Sequence, residues 1–351
     1  MKIIHCADIH LGSQLTSKLD KQKREERKRE LRATFKNVVE YAKKAGAKVI
    51  MLSGDVFDDD RPFKKDKEFF YSVVKNNPEI DFLYLRGNHD REESFTEEYE
   101  NLKTFKSEWS YYSYDNIKIY GIEITGENYS SLYNTLSTSA SDFNIVMLHG
   151  QVADTTSKDV INVNKLRNKN VDYLALGHIH SYSENKLDDR GVYAYSGCIE
   201  GRGFDETGKK GVVLLDISNG GFKREFVPMA LRDIVAIRVD CTGLKDAFEI
   251  YLRIKEMANI PKKDMLRVEL VGEVDFDTEG LEEELSSLLN GYAYLSSIKD
   301  RTVRRFDLEG LEDDVSIKGE FIRNVLNSDL DKESKNRIIS LGLKALSGRE
   351  L

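Results

Sequence analysis

The chain has 351 residues, 53 Lys and Arg against 61 Asp and Glu, and a formal net charge of -8, which argues against bulk electrostatic binding of nucleic acid while leaving local basic patches or bound cations free to reverse the field. With 40% hydrophobic and 10% aromatic residues, 24 Gly and only 4 Pro, it has the means for a buried core of about two domains and is neither disordered nor low-complexity. Mean hydropathy is -0.50 and no apolar run approaches the roughly 18 residues of a membrane span, while the opening MKIIHCADIH is interrupted too early for a secretory signal, so a soluble, cytoplasmic protein is expected.

Taken in chain order, residues 2–7, 48–52, 82–85, 144–148 and 173–176 are short apolar runs that read as buried strands. A helix over 19–44 carries Phe35, Val38, Val39 and Ala42 at helical spacing and closes at Ala45-Gly46. A second helix is predicted over 64–75. Strands alternating with helices imply crossover units and a largely buried sheet. From Gly191 the pattern changes: 192–196, 211–216 and 222–227 read as consecutive strands, with Ser218-Asn219-Gly220-Gly221 as a hairpin turn. Pro228-Met229-Ala230-Leu231-Arg232 marks a boundary. Beyond it, strands at 234–239, 266–270, 293–299 and 302–307 and helices at 244–257 and 278–289 make a small α+β unit. Two amphipathic helices follow over 317–346, the second with Ile338, Leu341, Ala345 and Leu346 on one face. The expected segments are 1–230, 231–310 and 311–351. Cys6, Cys198 and Cys241 are far apart and form no C-x-x-C pair, so they read as small buried apolar residues.

All six histidines precede residue 181. His5 lies inside the first strand and reads as a core or supporting residue. The other five directly follow predicted strands. In Asp8-Ile9-His10 the two polar side chains, two apart in an extended segment, face one point. Gly177-His178-Ile179-His180 repeats that geometry. Ser53-Gly54-Asp55 follows the second strand, Gly87-Asn88-His89-Asp90 the third, and His149-Gly150 the fourth. Sites in α/β sheets form beyond the carboxyl ends of strands, and glycine permits the tight turns there. One D-x-H pair is more often structural than not; five strand ends of this kind in one chain point to a metal site. Nitrogen and oxygen donors without thiolate suit Mn, Fe, Zn or Mg. They suffice for two ions, with Asp55 as the natural bridge. Such a pair clamps an in-line displacement at phosphorus and acidifies a bound water.

The series DIH, GDVFD, GNHD, LHG and GHIH resembles the five signatures of the calcineurin-like metallophosphoesterases, over roughly residues 1–230. More narrowly, KIIHCADIHLG, GDVFDDDRP and YSGCIEGRGFDETGKKG are similar to the nuclease subunits of DNA double-strand-break repair complexes, of the SbcD type. The resemblance implies an α/β fold: a two-sheet sandwich flanked by helices, then a small α+β capping or DNA-recognition domain and C-terminal helices suited to partner docking. It implies two divalent ions, manganese foremost, one held by Asp8, His10, Asp55 and His180 and the second by Asp55, Asn88, His149 and His178. It places His89 near the leaving oxygen, with Asp90 accepting a hydrogen bond that orients it. It also implies 3′ to 5′ exonuclease and single-strand endonuclease activity, an SMC-like coiled-coil ATPase partner and a homodimer. One departure stands out: where the family often has a substrate-facing histidine, this chain has Asp58, a carboxylate that would repel a phosphodiester unless it faces away or binds a cation.

A nuclease needs cations along its substrate path. Arg61, Lys64 and Lys65 follow the second signature and are the first candidates for phosphate contact, with Arg202 next. The stretch 17–32 holds eight basic and four acidic residues and reads chiefly as a solvated helix with i, i+4 pairs. Arg301, Arg304 and Arg305 form a smaller patch. Tyr111, Tyr112 and Tyr114, near Trp109, have the aromatic faces to stack on bases, although packing on a sheet is favoured. The segment 273–284 has seven acidic and no basic residues and would repel DNA. A phosphoesterase acting on small or cyclic phosphodiesters would need the same metal site. A DNA-end-binding scaffold without catalysis is disfavoured, because every ligand position is filled.

Overall fold

The computed structural model describes residues 1–15, 19–58, 62–90, 99–218, 221–304 and 315–346. Arg61, Arg305 and the turn residues Asn219 and Gly220 lie outside them. The chain divides into two compact units, Met1–Asp233 and Ile234–Leu351.

The first unit runs β1 (Lys2–Cys6), α1 (Lys21–Ala45), β2 (Ala47–Ser53), α2 (Lys64–Lys75), β3 (Asp81–Leu85), β4 (Leu102–Thr104), β5 (Ser110–Tyr114), β6 (Ile117–Gly121), α3 (Leu132–Thr135), β7 (Phe143–His149), β8 (Gln151–Val152), β9 (Val160–Ile161), β10 (Tyr173–Gly177), β11 (Ser183–Lys186), β12 (Val192–Tyr195), β13 (Gly211–Ser218) and β14 (Gly221–Pro228). Two six-stranded sheets form, in the orders β14-β13-β1-β2-β3-β4 and β11-β12-β10-β7-β6-β5. Within the first, β1, β2 and β3 are parallel, with Ile4 beside Ile50 and Ile50 beside Phe82. Within the second, β6, β7, β10 and β12 are parallel. The β12 and β13 strands, consecutive in the chain as expected, lie in different sheets: an apolar run marks a strand but does not say which sheet takes it.

Alternation along the strands builds the layers. Ile3, Val49, Met51 and Leu83 of one sheet meet Ile119, Ile145, Met147, Tyr173 and Ala175 of the other. The opposite face of the first sheet, with Ile4, Cys6, Ile50, Leu52 and Phe82, packs under α1 and α2. Helix α1 offers Leu31, Phe35, Val38, Val39 and Ala42 to it, a 3.6-residue stripe. The Asp20 carboxylate caps the helix by accepting from Lys23 N at 2.8 Å, and Gly46 ends it at φ +74°. This is the two-sheet sandwich with flanking helices that the resemblance implied. All three cysteines are buried and unpaired.

In the second unit, β15 (Ile234–Asp240), β16 (Met265–Val271) and β18 (Leu295–Asp300) form a parallel sheet. Helices α4 (Ala247–Met257) and α5 (Leu281–Leu288) cover it, burying Ile250, Ile254, Leu281 and Leu285 with Val239, Leu266, Val268 and Leu270. Short strands β17 (Glu273–Val274) and β19 (Val303–Arg304) pair beside it. Helices α6 (Ile317–Leu326) and α7 (Lys332–Leu346) share a small core of Ile322, Val325 and Ile339. Ile338, Leu341, Ala345 and Leu346, expected on one face of α7, are all exposed, and Ile339 is the residue that α7 buries against α6. Gly342 lets the Phe321 ring lie against α7, since a Cβ there would stand 2.1 Å from it. Among the described residues no helix is long and apolar enough to cross a membrane.

Candidate metal centre

The parallel β1, β2, β3, β7 and β10 all end on one rim, and the polar residues at those ends converge. Donor atoms of Asp8, His10 and His180 lie within 4.8 Å of one another, as do those of Asp8, Asp55 and His149. Asp55 Oδ2 stands between the two groups, 3.8 Å from His10 Nε2 and 3.4 Å from His149 Nε2. Asn88 Oδ1 joins the second group, 2.9 Å from His149 Nε2 and 3.1 Å from His178 Nδ1. All seven expected ligand residues are thus brought together.

The backbone is bent to achieve this. Among the described residues eight non-glycine positions have positive φ, and four are Asp8, His10 and Asp55 at +51° and His178 at +103°. Such conformations cost about 1–2 kcal/mol each. They are held by long-range contacts: Asp8 N donates to Gly54 O at 3.0 Å, and His178 N donates to the Asp8 carboxylate at 2.9 and 3.1 Å. Three glycines permit the close approach. A Cβ at Gly177 would stand 1.9 Å from Ser53 O, one at Gly87 2.2 Å from Asp55 Oδ1, and one at Gly54 2.1 Å from His149 Nδ1.

Donor chemistry fits cations. His149 Nδ1–H donates to Ser53 O at 2.9 Å, so its Nε2 faces Asn88 Oδ1 at 2.9 Å, where a proton or a metal ion is needed between them. His180 Nδ1–H donates to Glu206 Oε1 at 2.7 Å, so its Nε2 faces His10 Nε2 at 3.1 Å. Two lone pairs at such distances repel unless a proton or a metal ion lies between them. Burial pushes Asp8 up to about 6 and His10 down to about 4. Burial alone would raise Asp55 and lower His149, but their pairing reverses both signs, drawing Asp55 below the usual carboxylate range and His149 up to about 9. Positive charge is what these carboxylates require.

Other candidates fall differently. His89 is exposed, its ring 5.4 Å from that of His10, and its backbone N–H donates to Asp55 Oδ1 at 3.0 Å. Asp90 does not hold the His89 ring. Its buried carboxylate accepts from Val56 N, Phe57 N and Gly87 N at 3.0 to 3.2 Å, tying two strand-end loops together. His5 is core: Nε2–H donates to Leu176 O at 3.2 Å and Tyr173 OH donates to Nδ1 at 2.8 Å. Lys64 and Lys65 are exposed at the start of α2, Lys64 3.6 Å from Glu68. Tyr112 and Tyr114 pack on the inter-sheet core, Tyr111 lies on Tyr120, and Trp109 donates to Leu132 O, so sheet packing accounts for these aromatics. Arg301 and Arg304 sit beside Glu269 and Asp277.

Sequence reasoning missed Glu206, which accepts from His180, and the contact of Asp58 with His10, Oδ1 being 3.0 Å from Nδ1. It also missed Arg86, whose guanidinium pairs with Glu123 beside Asn88. The one available signal was Arg202-x-x-x-Glu206 within the segment after GHIH.

A two-sheet sandwich whose strand ends gather imidazoles, carboxylates and an amide defines a metal-dependent phosphoesterase. Residues 1–182 match the model of the calcineurin-like phosphoesterases, and the chain belongs to that family. It is an enzyme of phosphodiester hydrolysis that uses divalent metal ions. Similar proteins include one from Sulfolobus acidocaldarius named DNA double-strand break repair protein Mre11, with 24% identity over 310 residues, 82% of this chain and 79% of that one. A Sulfurisphaera tokodaii protein of the same name has 25% identity over 324 residues, 86% and 81% of the two chains. The Bacillus subtilis uncharacterized metallophosphoesterase YhaO has 30% identity over 278 residues, 73% and 67%.

Proposed function

We propose that this chain is a manganese-dependent DNA nuclease of a double-strand-break repair complex, with 3′ to 5′ exonuclease and single-strand endonuclease activity. The observation that carries the proposal is the converged seven-residue centre in a chain similar, over most of its length, to proteins named for DNA break repair. Asp8, His10, Asp55 and His180 would hold one ion and Asp55, Asn88, His149 and His178 the other. When bound, the pair acidifies water and neutralises phosphoryl charge. His89, which is exposed, would deliver a proton to the leaving oxygen. Asp90 keeps the β2 and β3 end loops in register, and Glu206 and Ser53 fix the tautomers of His180 and His149. Lys64 and Lys65, with Arg61, are the assigned phosphate contacts. The reading includes a cytoplasmic location, a homodimer and an SMC-like ATPase partner, with residues 231–310 as a capping domain and 311–351 as the docking helices.

A small-molecule or cyclic phosphodiesterase is the second reading, favoured by the 30% identity to a metallophosphoesterase without an assigned substrate. End-labelled duplex and single-stranded oligonucleotides, incubated with the manganese-loaded chain with and without the ATPase, separate the two. Cleavage of the oligonucleotides is expected. Turnover of a small diester such as bis(p-nitrophenyl) phosphate, with the oligonucleotides left intact, would establish the second reading instead.

A further inference from the structure

We propose that Arg202 is a positioning residue for one half of the centre, holding His10 and His180 through two carboxylates; this rests on the two-ion reading above. His180 Nδ1–H donates to Glu206 Oε1 at 2.7 Å, and Asp58 Oδ1 lies 3.0 Å from His10 Nδ1, off the line of a good hydrogen bond. Both carboxylates meet Arg202. Its Nη1 donates to Asp58 Oδ1 at 2.5 Å, its Nη2 and Nε to Glu206 Oε1 at 2.8 and 3.2 Å, and its backbone N to Glu206 Oε2 at 2.7 Å, while Nη2 also lies 3.2 Å from His180 Nδ1 itself. The consequence is that both imidazoles present Nε2 to one point, 3.1 Å apart.

An arginine suits this task because its rigid planar fork spans two acceptors at once, which the point charge of a lysine does not. The side chain is only 17% exposed, so solvent does not screen the pairs as it does on an open surface. The arrangement also accounts for Asp58. Its negative charge is matched by Arg202 and directed at His10, rather than presented bare to a phosphodiester.

The second half is held differently. His149 Nδ1 is held by the main-chain carbonyl of Ser53, and His178 Nδ1 faces the Asn88 amide. Loss of Arg202 should therefore split the two ions, whereas an arginine that only braces the fold would leave their relative affinities alone. Asp58 and Glu206 reach Arg202 from different parts of the chain, 144 and 4 residues away, so the clamp also joins the loop after β2 to the segment after β12.

The test uses the full chain, metal-free at the start, titrated with manganese by calorimetry and followed by electron paramagnetic resonance. Wild type is expected to take up two ions and give the signal of a coupled pair. Arg202→Gln is expected to weaken one site by roughly 10–100-fold, as loss of a group behind a ligand does, with the other unchanged. At limiting manganese the coupled signal should give way to that of isolated ions. Arg202→Lys should not restore the pair. If Arg202→Gln does not fold, Asp58→Asn carries the test: it keeps an acceptor beside His10, removes the charge facing Arg202, and should weaken the same single site by a smaller factor. Both sites unchanged in the folded variants, or both weakened equally, overturns the proposal. A wild type that binds no metal pair overturns the two-ion reading and this inference with it.

Discussion

Both units contain the pattern of an aspartate at a strand end followed two residues later by a polar side chain, and the outcomes differ. In the second unit, Asp240 Oδ1 accepts from Thr242 N at 2.9 Å and Asp300 Oδ1 from Thr302 N at 2.8 Å. Each carboxylate folds back on its own chain as a local turn. In the first unit, Asp8 reaches instead to His178 N, 170 residues away. The spacing is the same, but one aspartate closes a turn and the other joins two sheets. What separates them is the number of distant strand ends delivered to one place, not the motif itself.

The comparison breaks most sharply by mutation of the two aspartates. Asp8→Asn should lose several kcal/mol of charge stabilisation at the centre, on the order of 10³-fold in turnover, together with bound metal measured by elemental analysis. Asp240→Asn should leave turnover and metal content intact and cost no more than about 1 kcal/mol by urea unfolding. Equal effects would erase the distinction. His89→Ala should lower turnover by about 10²–10⁴-fold, the usual worth of a proton donor, with metal content unchanged. Metal lost along with activity would reassign His89 as a ligand.

The rim is also tighter than the surrounding surface. Gly177→Ala should cost about 1–3 kcal/mol and lower activity, because the added methyl meets Ser53 O, whereas Gly126→Ala, with nothing within 4 Å, should be near neutral in thermal unfolding. At neutral pH the smallest effect concerns His5, whose contribution changes only on acidification. Burial lowers it from 6.5 to about 3. The unfolded chain therefore binds this proton first, and the stability linked to neutral His5 is full above pH 6.5 and is lost as pH falls toward 3. One proton gives a slope of up to about 1.4 kcal/mol per pH unit in that window. His5→Gln should flatten it in urea midpoints measured against pH, and an unchanged slope would assign the acid sensitivity to other groups.

The apolar strands and the chemistry at their ends were readable because each is local: a run such as FNIVMLH is buried on both faces and finishes on its functional residue. Less was readable where the decision is made in space. The β5 strand, SYYSY, is polar by hydropathy and was not among the expected strands, although sheet packing of Tyr112 and Tyr114 was favoured and is what the inter-sheet core shows. The buried face of α7 was chosen by Phe321 and Ile322 across from it. Glu206 was missed because an acid 26 residues beyond His180 has no periodic relation to it, and only its spacing from Arg202 pointed to it. Asp90 was misread because its neighbour in sequence, His89, is not its neighbour in hydrogen bonding.

The positive-φ backbone of Asp8, His10, Asp55 and His178 has a consequence for redesign. Because Asp8 N reaches Gly54 O and His178 N reaches the Asp8 carboxylate, relaxing either residue to an ordinary conformation would sever a tie between strand ends as well as misplace a donor. Backbone strain and the placing of the donors are thus coupled, and neither can be altered alone.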